Sequence, residues 1–357
     1  MIGKTNYWPA EQLQAGVLEA AAVLAEGGII AFPTETVYGL GGDAGNTKAV
    51  ERIFAAKGRP SDNPLIVHIA KQEAVYGLAE RVSEIEEILM AAFWPGPLTL
   101  VLPVKAGAVS ALVTAGLDTI AVRVPAHDVA RRLIEQSGCP LAAPSANRSG
   151  RPSPTQARHV MEDLEGLIHG VLDGGATGVG LESTVVRVLG NQIHILRPGG
   201  ITREQLLEVA GAEAVIITPA AGSEEAPKTS GLTQAPRSPG IKYAHYAPKG
   251  EMVLVTGHSD EQIAVVQEKI VEAKRRGSMV GVLSCTEHTV YYEADFVFDC
   301  GSRNHPELAA HSLYGILREC DERGLDFIIA EGYPEQGIGA ALMNRLRKAA
   351  GGHEITV

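Results

Sequence analysis

The stretch GGIIAFPTETVYGL, residues 27–40, decides how the first half of the chain folds. Apolar residues recur at helical spacing from Glu11 to Glu26, and Gly27-Gly28 stops that helix before the run Ile29-Ile30-Ala31-Phe32. Four successive apolar residues between a glycine pair and Pro33 predict a buried strand. The residues beyond it, Thr34-Glu35-Thr36, set hydroxyls and a carboxylate directly beside that strand, as a rigid polar pocket requires.

Working outward, helix patterns occupy Thr47 to Ala56, Ser83 to Ala92, Asp128 to Ser137 and Thr202 to Ala210. Strand patterns run from Leu65 to Ile69, Leu98 to Pro103, Thr119 to Val124, Gly170 to Asp173, Ser183 to Leu189 and Gln192 to Arg197. Their irregular alternation predicts a mixed α/β or α+β domain over residues 1–215. Residues 216–248 are rich in Pro, Gly, Ser and Ala and read as a linker. Its second half carries Arg237, Lys242, Tyr243, His245 and Tyr246, a richer set than a spacer needs. From 249 to 357 strands and helices alternate regularly, which predicts a small parallel sheet, Rossmann-like in layout. No dinucleotide fingerprint accompanies it, because Gly337 and Gly339 are followed by Leu342 where the third glycine belongs.

Composition narrows the function classes. With 357 residues, 45% of them hydrophobic, the chain can bury a sizeable core. A formal net charge of -11 supplies no global field for holding a phosphate backbone, so bulk nucleic-acid binding is not expected. Cys139, Cys285, Cys300 and Cys320 form no CxxC pair and read as reduced core residues. No leader-like start and no long uncharged apolar run occurs, so a cytoplasmic protein without membrane contact is expected. No spaced metal-ligand motif is present, and no protein metal site is expected.

Several short segments could carry chemistry. Lys57 and Arg59 flank Gly58 and could reach a polyphosphate, although the segment alone reads first as a solvated basic turn. Ser145, Asn147, Ser149 and Ser153 offer hydroxyl and amide groups suited to phosphate or nucleotide, or else to side-chain-capped turns. Arg123 lies in the strand-like run Ala121 to Pro125, where alternation leaves solvent exposure as the default and a bound carboxylate as the other choice. His68 closes an apolar run and reads as a core or rim histidine. Glu35 reads as a plain turn carboxylate.

Taken in order, PTETVYGL, KGRPSDNPL, WPGPLT, APSANRSG, EST and LRPG, with the linker SPGIKYAHYAP, resemble the YrdC/Sua5 family in its two-domain Sua5 form. The resemblance implies a twisted mixed-sheet YrdC-like catalytic domain plus a small Rossmann-like C-terminal domain, joined by a linker that acts as a lid over the site. It implies condensation of L-threonine, bicarbonate and ATP to threonylcarbamoyl-AMP, with Mg2+ held mainly by the ATP phosphates. Carried onto this sequence, it places Thr34, His68, Arg123, Ala143 and Ser183 around L-threonine. It places Lys57, Arg59, Asn63, Thr119, Ser145, Asn147, Ser153, Arg197 and Ser238 around ATP. Lys57, Arg59, His68, Arg197 and the linker's Tyr243 are the expected catalytic set. A monomer is expected, with transient contact to the transferase that passes the product to tRNA. Two other readings remain open at this point: a double-stranded RNA-binding assembly factor using a local patch of Lys57, Arg59, Arg148, Arg151 and Arg158, and a carbamoyl transferase, whose usual zinc-finger-like and acylphosphatase-like modules are missing.

Overall fold

The computed structural model describes residues 3–211, 214–218 and 246–357. The chain divides into two compact units: one comprises residues 1–149, 154–178 and 182–242, the other residues 150–153, 179–181 and 243–357.

The first unit carries β1 (Asn6–Trp8), α1 (Leu13–Ala25), β2 (Ile30–Phe32), β3 (Gly39–Asp43), α2 (Thr47–Lys57), β4 (Ile66–His68), α3 (Val75–Leu78) and α4 (Glu84–Phe93). It continues with β5 (Leu98–Pro103), α5 (Ala111–Thr114), β6 (Thr119–Arg123), α6 (Asp128–Ser137), β7 (Leu141–Ala142) and α7 (Ala157–Leu164). The last elements are β8 (Gly170–Leu172), β9 (Thr184–Leu189), β10 (Gln192–Arg197), α8 (Arg203–Ala210) and β11 (Val215–Ile217). Its strands form one mixed sheet in the order β1-β8-β2-β3-β7-β4-β6-β5-β9-β10-β11.

Local chemistry explains the element ends. Ser83 and Glu86 cap each other at the start of α4, side chain to backbone in both directions. The Asn46 side chain accepts from the amides of Lys48 and Ala49 to start α2, and Gly58, at φ 62°, ends it in the left-handed conformation that costs glycine little. Gly190-Asn191 closes the antiparallel β9/β10 hairpin between Leu189 and Gln192, the short glycine-asparagine turn that such pairs favour.

The long periodic elements fall where the sequence puts them, as do the short strands β2, β4 and β8, while several other short elements were not expected. The GLGGD segment, to which the sequence pattern gave no element, is strand β3. A Cβ on Gly41 would lie 2.7 Å from the Phe32 ring, so the glycines let β3 press against the side chains of β2. Helix α7 and the strands β1, β7, β11 and β16 (Glu354–Thr356) were likewise not expected.

The second unit is the expected parallel sheet: β12 (Glu251–Thr256), β13 (Val280–Ser284), β14 (Phe296–Asp299), β15 (Phe327–Glu331) and β16, in the order β14-β13-β15-β12-β16, every pair parallel. Helices α9 (Ser259–Arg275), α10 (Pro306–Glu322) and α11 (Gly339–Ala349) connect the strands.

Leu100, in β5, and Val122, opposite it in β6, belong to the main core of the first unit. Leu100→Ala is expected to destabilise the chain by about 2–5 kcal/mol, the usual cost of a buried leucine and the cavity it leaves. Urea unfolding would measure it; a loss under about 1 kcal/mol would mean the sheet relaxes around the gap.

Candidate active site

The sheet register gathers His68, Arg123 and Ser183, three of the expected threonine residues, at one edge. β4 and β6 run parallel with His68 opposite Arg123, so both residues end their strands on the same side. Thr99 follows at the start of β5, one step beyond the Leu100–Val122 pair. Ser183 stands just ahead of Thr184, which pairs with Leu98. Ala143, just past β7, donates its amide to Ile66 O at 2.9 Å.

Arg123 is 3% exposed, and here alternation misleads. Every residue of β6 is buried, so the strand has no outward face to offer a charge. The guanidinium instead finds fixed partners: Nε donates to Gly96 O at 3.1 Å, Nη1 donates to Thr36 Oγ1 at 2.9 Å, and Nη2 lies 2.7 Å from Glu35 Oε1. Thr34 donates to Val37 O at 2.6 Å, which leaves Thr36 to donate to Thr34 Oγ1 at 2.8 Å while accepting from Arg123. Glu35 is therefore the ion-pair partner of the buried arginine. Only tertiary structure joins residues so far apart in sequence.

His68 packs edge-on to the Phe32 ring at 6.2 Å, and its buried Nδ1 has no hydrogen-bond partner among the described residues. Burial, and then the nearby Arg123 charge, push its pKa down to about 3, so the ring is neutral at ordinary pH. Ser183 Oγ lies 2.7 Å from Thr99 Oγ1, and Arg197 donates Nε and Nη2 to Ser183 O at 3.2 and 3.0 Å and Nη2 to Ser183 Oγ at 3.2 Å. An expected ATP residue and an expected threonine residue are thus held as one unit.

Most of the remaining expected ATP residues lie toward the other ends of the same strands. Thr119 begins β6, four steps from Arg123 or about 13 Å of strand. Asn63 precedes β4, and its fully buried side-chain amide has no partner on either atom among the described residues. A buried, unsatisfied amide of this kind suits a ligand. Because β7 is antiparallel to β4, the chain beyond Ala143 runs back past Ile66 to Ser145, which bridges Gly39. Lys57 is 3% exposed and not the solvated turn its segment suggests. Its ammonium donates to Ser145 O at 2.5 Å and to Asn147 O at 2.7 Å, stitching the two loops together. Burial, and then Arg59, hold its pKa well below the usual lysine range, against the pull of Asp163. Arg59 donates to Asn63 O at 3.3 Å. Ser153 is buried within the segment 150–153 that groups with the second unit. Ser238 and Tyr243, with Arg237, Lys242 and His245 of the same linker, lie outside the described residues.

Glu35, Thr36, Gly96 and Thr99 are the site residues that sequence reasoning missed. Glu35 carried one signal, a carboxylate beside an apolar strand, but nothing local to name its partner. In the second unit, Cys285, His288 and Glu331, all buried, bring their ligand atoms within 4.8 Å of one another. Cys285 and His288 follow β13 and Glu331 ends the neighbouring strand β15, so only the fold brings the carboxylate to the other two.

A mixed-sheet unit that buries cations and hydroxyls at two strand edges, paired with a small parallel-sheet unit, defines the class: a two-domain protein built to bind small polar molecules. Residues 22–199 match a family model described as telomere recombination, and residues 201–351 match one described as the C-terminal domain of threonylcarbamoyl-AMP synthase. A threonylcarbamoyl-AMP synthase from Bacillus subtilis (strain 168) is 50% identical over 95% of this chain and 94% of the relative. The Pyrococcus abyssi relative of the same name is 48% identical over 93% of each. The crystal structure of P. abyssi Sua5 complexed with L-threonine superposes with a TM-score of 0.88 at 45% identity, over 99% of both chains. The chain belongs to the threonylcarbamoyl-AMP synthase family, in its two-domain Sua5 form.

The neutral state of His68 sets a pH dependence. Between its folded pKa of about 3 and its unfolded 6.5, the unfolded chain binds a proton that the folded chain refuses. The stability this contributes is complete above the unfolded value and falls, by up to about 1.4 kcal/mol per pH unit, as pH drops toward the folded one. Urea unfolding at pH 7 and pH 4.5 should show a smaller acid loss for His68→Gln than for the parent. Equal losses would place the proton uptake on other groups.

Proposed function

We propose that this chain condenses L-threonine, bicarbonate or CO2, and ATP to threonylcarbamoyl-AMP and pyrophosphate, supplying the activated intermediate for N6-threonylcarbamoyladenosine in tRNA. The observation that supports it most is full-length likeness, in sequence and in fold, to a protein whose structure was solved with L-threonine. The double-stranded RNA reading has no comparable support.

In this reading the threonine carboxylate takes N–H donors of Arg123 that Thr36 and Gly96 leave over; two of the five are spent in hydrogen bonds, and Nη2 faces Glu35 as an ion pair without a hydrogen bond. Neutral His68 and the Ser183–Arg197 pair line the same edge, Thr34 fixes the loop that presents Glu35 and Thr36, and Ala143 lies beside Ile66. The threonine amine attacks CO2 to give a carbamate, and a carbamate oxygen then attacks the α-phosphorus of ATP, whose pyrophosphate leaves. Lys57, Arg59, Asn63, Thr119, Ser145 and Asn147 hold the nucleotide. Positioning and charge neutralisation do this work, since phosphoryl displacement here needs no protein nucleophile. These residues are cations, hydroxyls and amides rather than carboxylates, so they fit a Mg2+ carried by the phosphates, where it would neutralise charge. A carbamate loses CO2 in water, so the reaction calls for a site that excludes solvent. Residues 1–215 are the catalytic domain and 249–357 the accessory domain. The protein works as a cytoplasmic monomer that meets the tRNA transferase transiently; no helix among the described residues is long and apolar enough to cross a membrane.

The test is pyrophosphate release from ATP and Mg2+ with labelled bicarbonate, with and without L-threonine, and with L-serine as a control. Threonine-dependent release, with label in a new mixed anhydride with AMP, is expected. Arg123→Ala should raise the threonine KM about 30-fold or more, the equivalent of about 2 kcal/mol for a buried charge partner. Release that ignores threonine in folded protein would refute the reading.

A further inference from the structure

We propose that Ser259, His288 and Glu331 form a second active site, of the esterase type, at the carboxyl edge of the parallel sheet, with Ser259 accepting the acyl group of uncharged or cationic carboxylic esters. The proposal is independent of the synthase reading. Ser259 follows β12, His288 and Cys285 follow β13, and Glu331 ends β15. In an open parallel sheet, the crevice beyond the carboxyl ends of the strands is where ligands bind.

The three side chains form a continuous relay. Ser259 Oγ lies 2.6 Å from His288 Nε2, and His288 Nδ1 lies 2.5 Å from Glu331 Oε1. Glu331 is 1% exposed and held from three sides, since Tyr292 donates its hydroxyl to Oε1 at 2.5 Å and Cys285 donates its amide to Oε2 at 2.8 Å. A carboxylate so anchored accepts the proton on Nδ1, which leaves Nε2 to accept from the serine hydroxyl. That is the nucleophile, base and orienting group of acyl transfer in working order. His288 and Glu331 are buried while Ser259 is half-buried, so only the nucleophile meets solvent.

The backbone at Ser259 makes a sharp strand-to-helix turn. Gly257 sits at φ 128°, and a Cβ there would lie 1.9 Å from Val357 O, so only glycine fits. The hydrogen-bond ladder of the 17-residue helix α9 begins with Gln262 N donating to His258 O at 2.9 Å. The amides of Ser259, Asp260 and Glu261 precede it and can face a developing oxyanion. The exposed side chains of Asp260 and Glu261 occupy the same turn and repel anionic esters, which sets the substrate class. A metal ion on Cys285, His288 and Glu331 is the weaker reading, because both ring nitrogens and both carboxylate oxygens are already engaged. Burial, and then Glu331, push the Cys285 thiol up to about 12, which keeps its proton in place.

In the reaction, Ser259 Oγ bonds to the ester carbonyl carbon as its proton passes to His288 Nε2. The carbon–alkoxy bond then breaks, and the alcohol leaves with that proton. Water attacks the acyl-serine by the same route, releasing the carboxylic acid and restoring the hydroxyl.

Hydrolysis of p-nitrophenyl acetate by the full chain, without ATP or threonine, tests this, together with fluorophosphonate labelling mapped by mass spectrometry. Label on Ser259 is expected, and Ser259→Ala and His288→Gln should each lower kcat/KM by about a hundredfold or more. Glu331 acts by positioning the imidazole, so Glu331→Gln should lower kcat with KM little changed. Thermal unfolding would confirm that the half-buried Ser259→Ala variant is folded. Label elsewhere, hydrolysis undiminished in that variant, or one equivalent of tightly held zinc in the purified chain would overturn the proposal, the last in favour of a metal site.

Discussion

The burial of Arg123 constrains the whole first unit. A guanidinium cannot shed its charge, and leaving it unpaired away from water would cost several kcal/mol. The fold therefore has to bring it a carboxylate and acceptors, and three chain segments are arranged around that need. Glu35 and Thr36 come from the loop after β2, Gly96 from the turn before β5, and Arg123 itself from the end of β6. The Thr34 turn, in which one hydroxyl receives two backbone amides at 3.2 Å, fixes the loop that presents Glu35. A polar centre of this kind tolerates few alternative arrangements, and the apolar packing on either side of the sheet has to respect it.

The second unit meets a similar demand with different chemistry. Glu331 is buried as deeply as any core leucine, and histidine, tyrosine and a backbone amide satisfy it in place of an arginine. Both units thus place their polar networks at the ends of strands, where side chains from several elements converge and the ladder no longer consumes the backbone groups.

What could be read from the chain followed length and period. Helices such as α9 and α10, and strands such as β5 and β15, announce themselves through an apolar repeat bounded by turn residues. The strands β1, β7, β11 and β16 are two or three residues long, too short to show a period, and exist because a neighbouring strand completes them. Helix α7 follows a segment full of proline and serine and carries polar residues on its exposed side, so its pattern was masked. At the site, motif order named residues that the register then set at two edges of the same strands. The partnership of Glu35 with Arg123 could not be read, since a pairing across so many residues depends on the path of the sheet. The burial of Lys57 was hidden for a related reason: the carbonyls that receive it belong to a loop that folds back only in three dimensions.

The two edges give the shortness of β4 a meaning. At three residues it is little more than one pleat, yet it separates Asn63 from His68, the proposed nucleotide side from the proposed amino-acid side. Strand length here acts as a spacer gauge: a substrate lying across it spans about 10 Å from one edge to the other. Lengthening β4 by a single pleat, with its register partners, would widen that interval by about 7 Å while leaving each edge chemically intact. Two molecules could then still bind and never react.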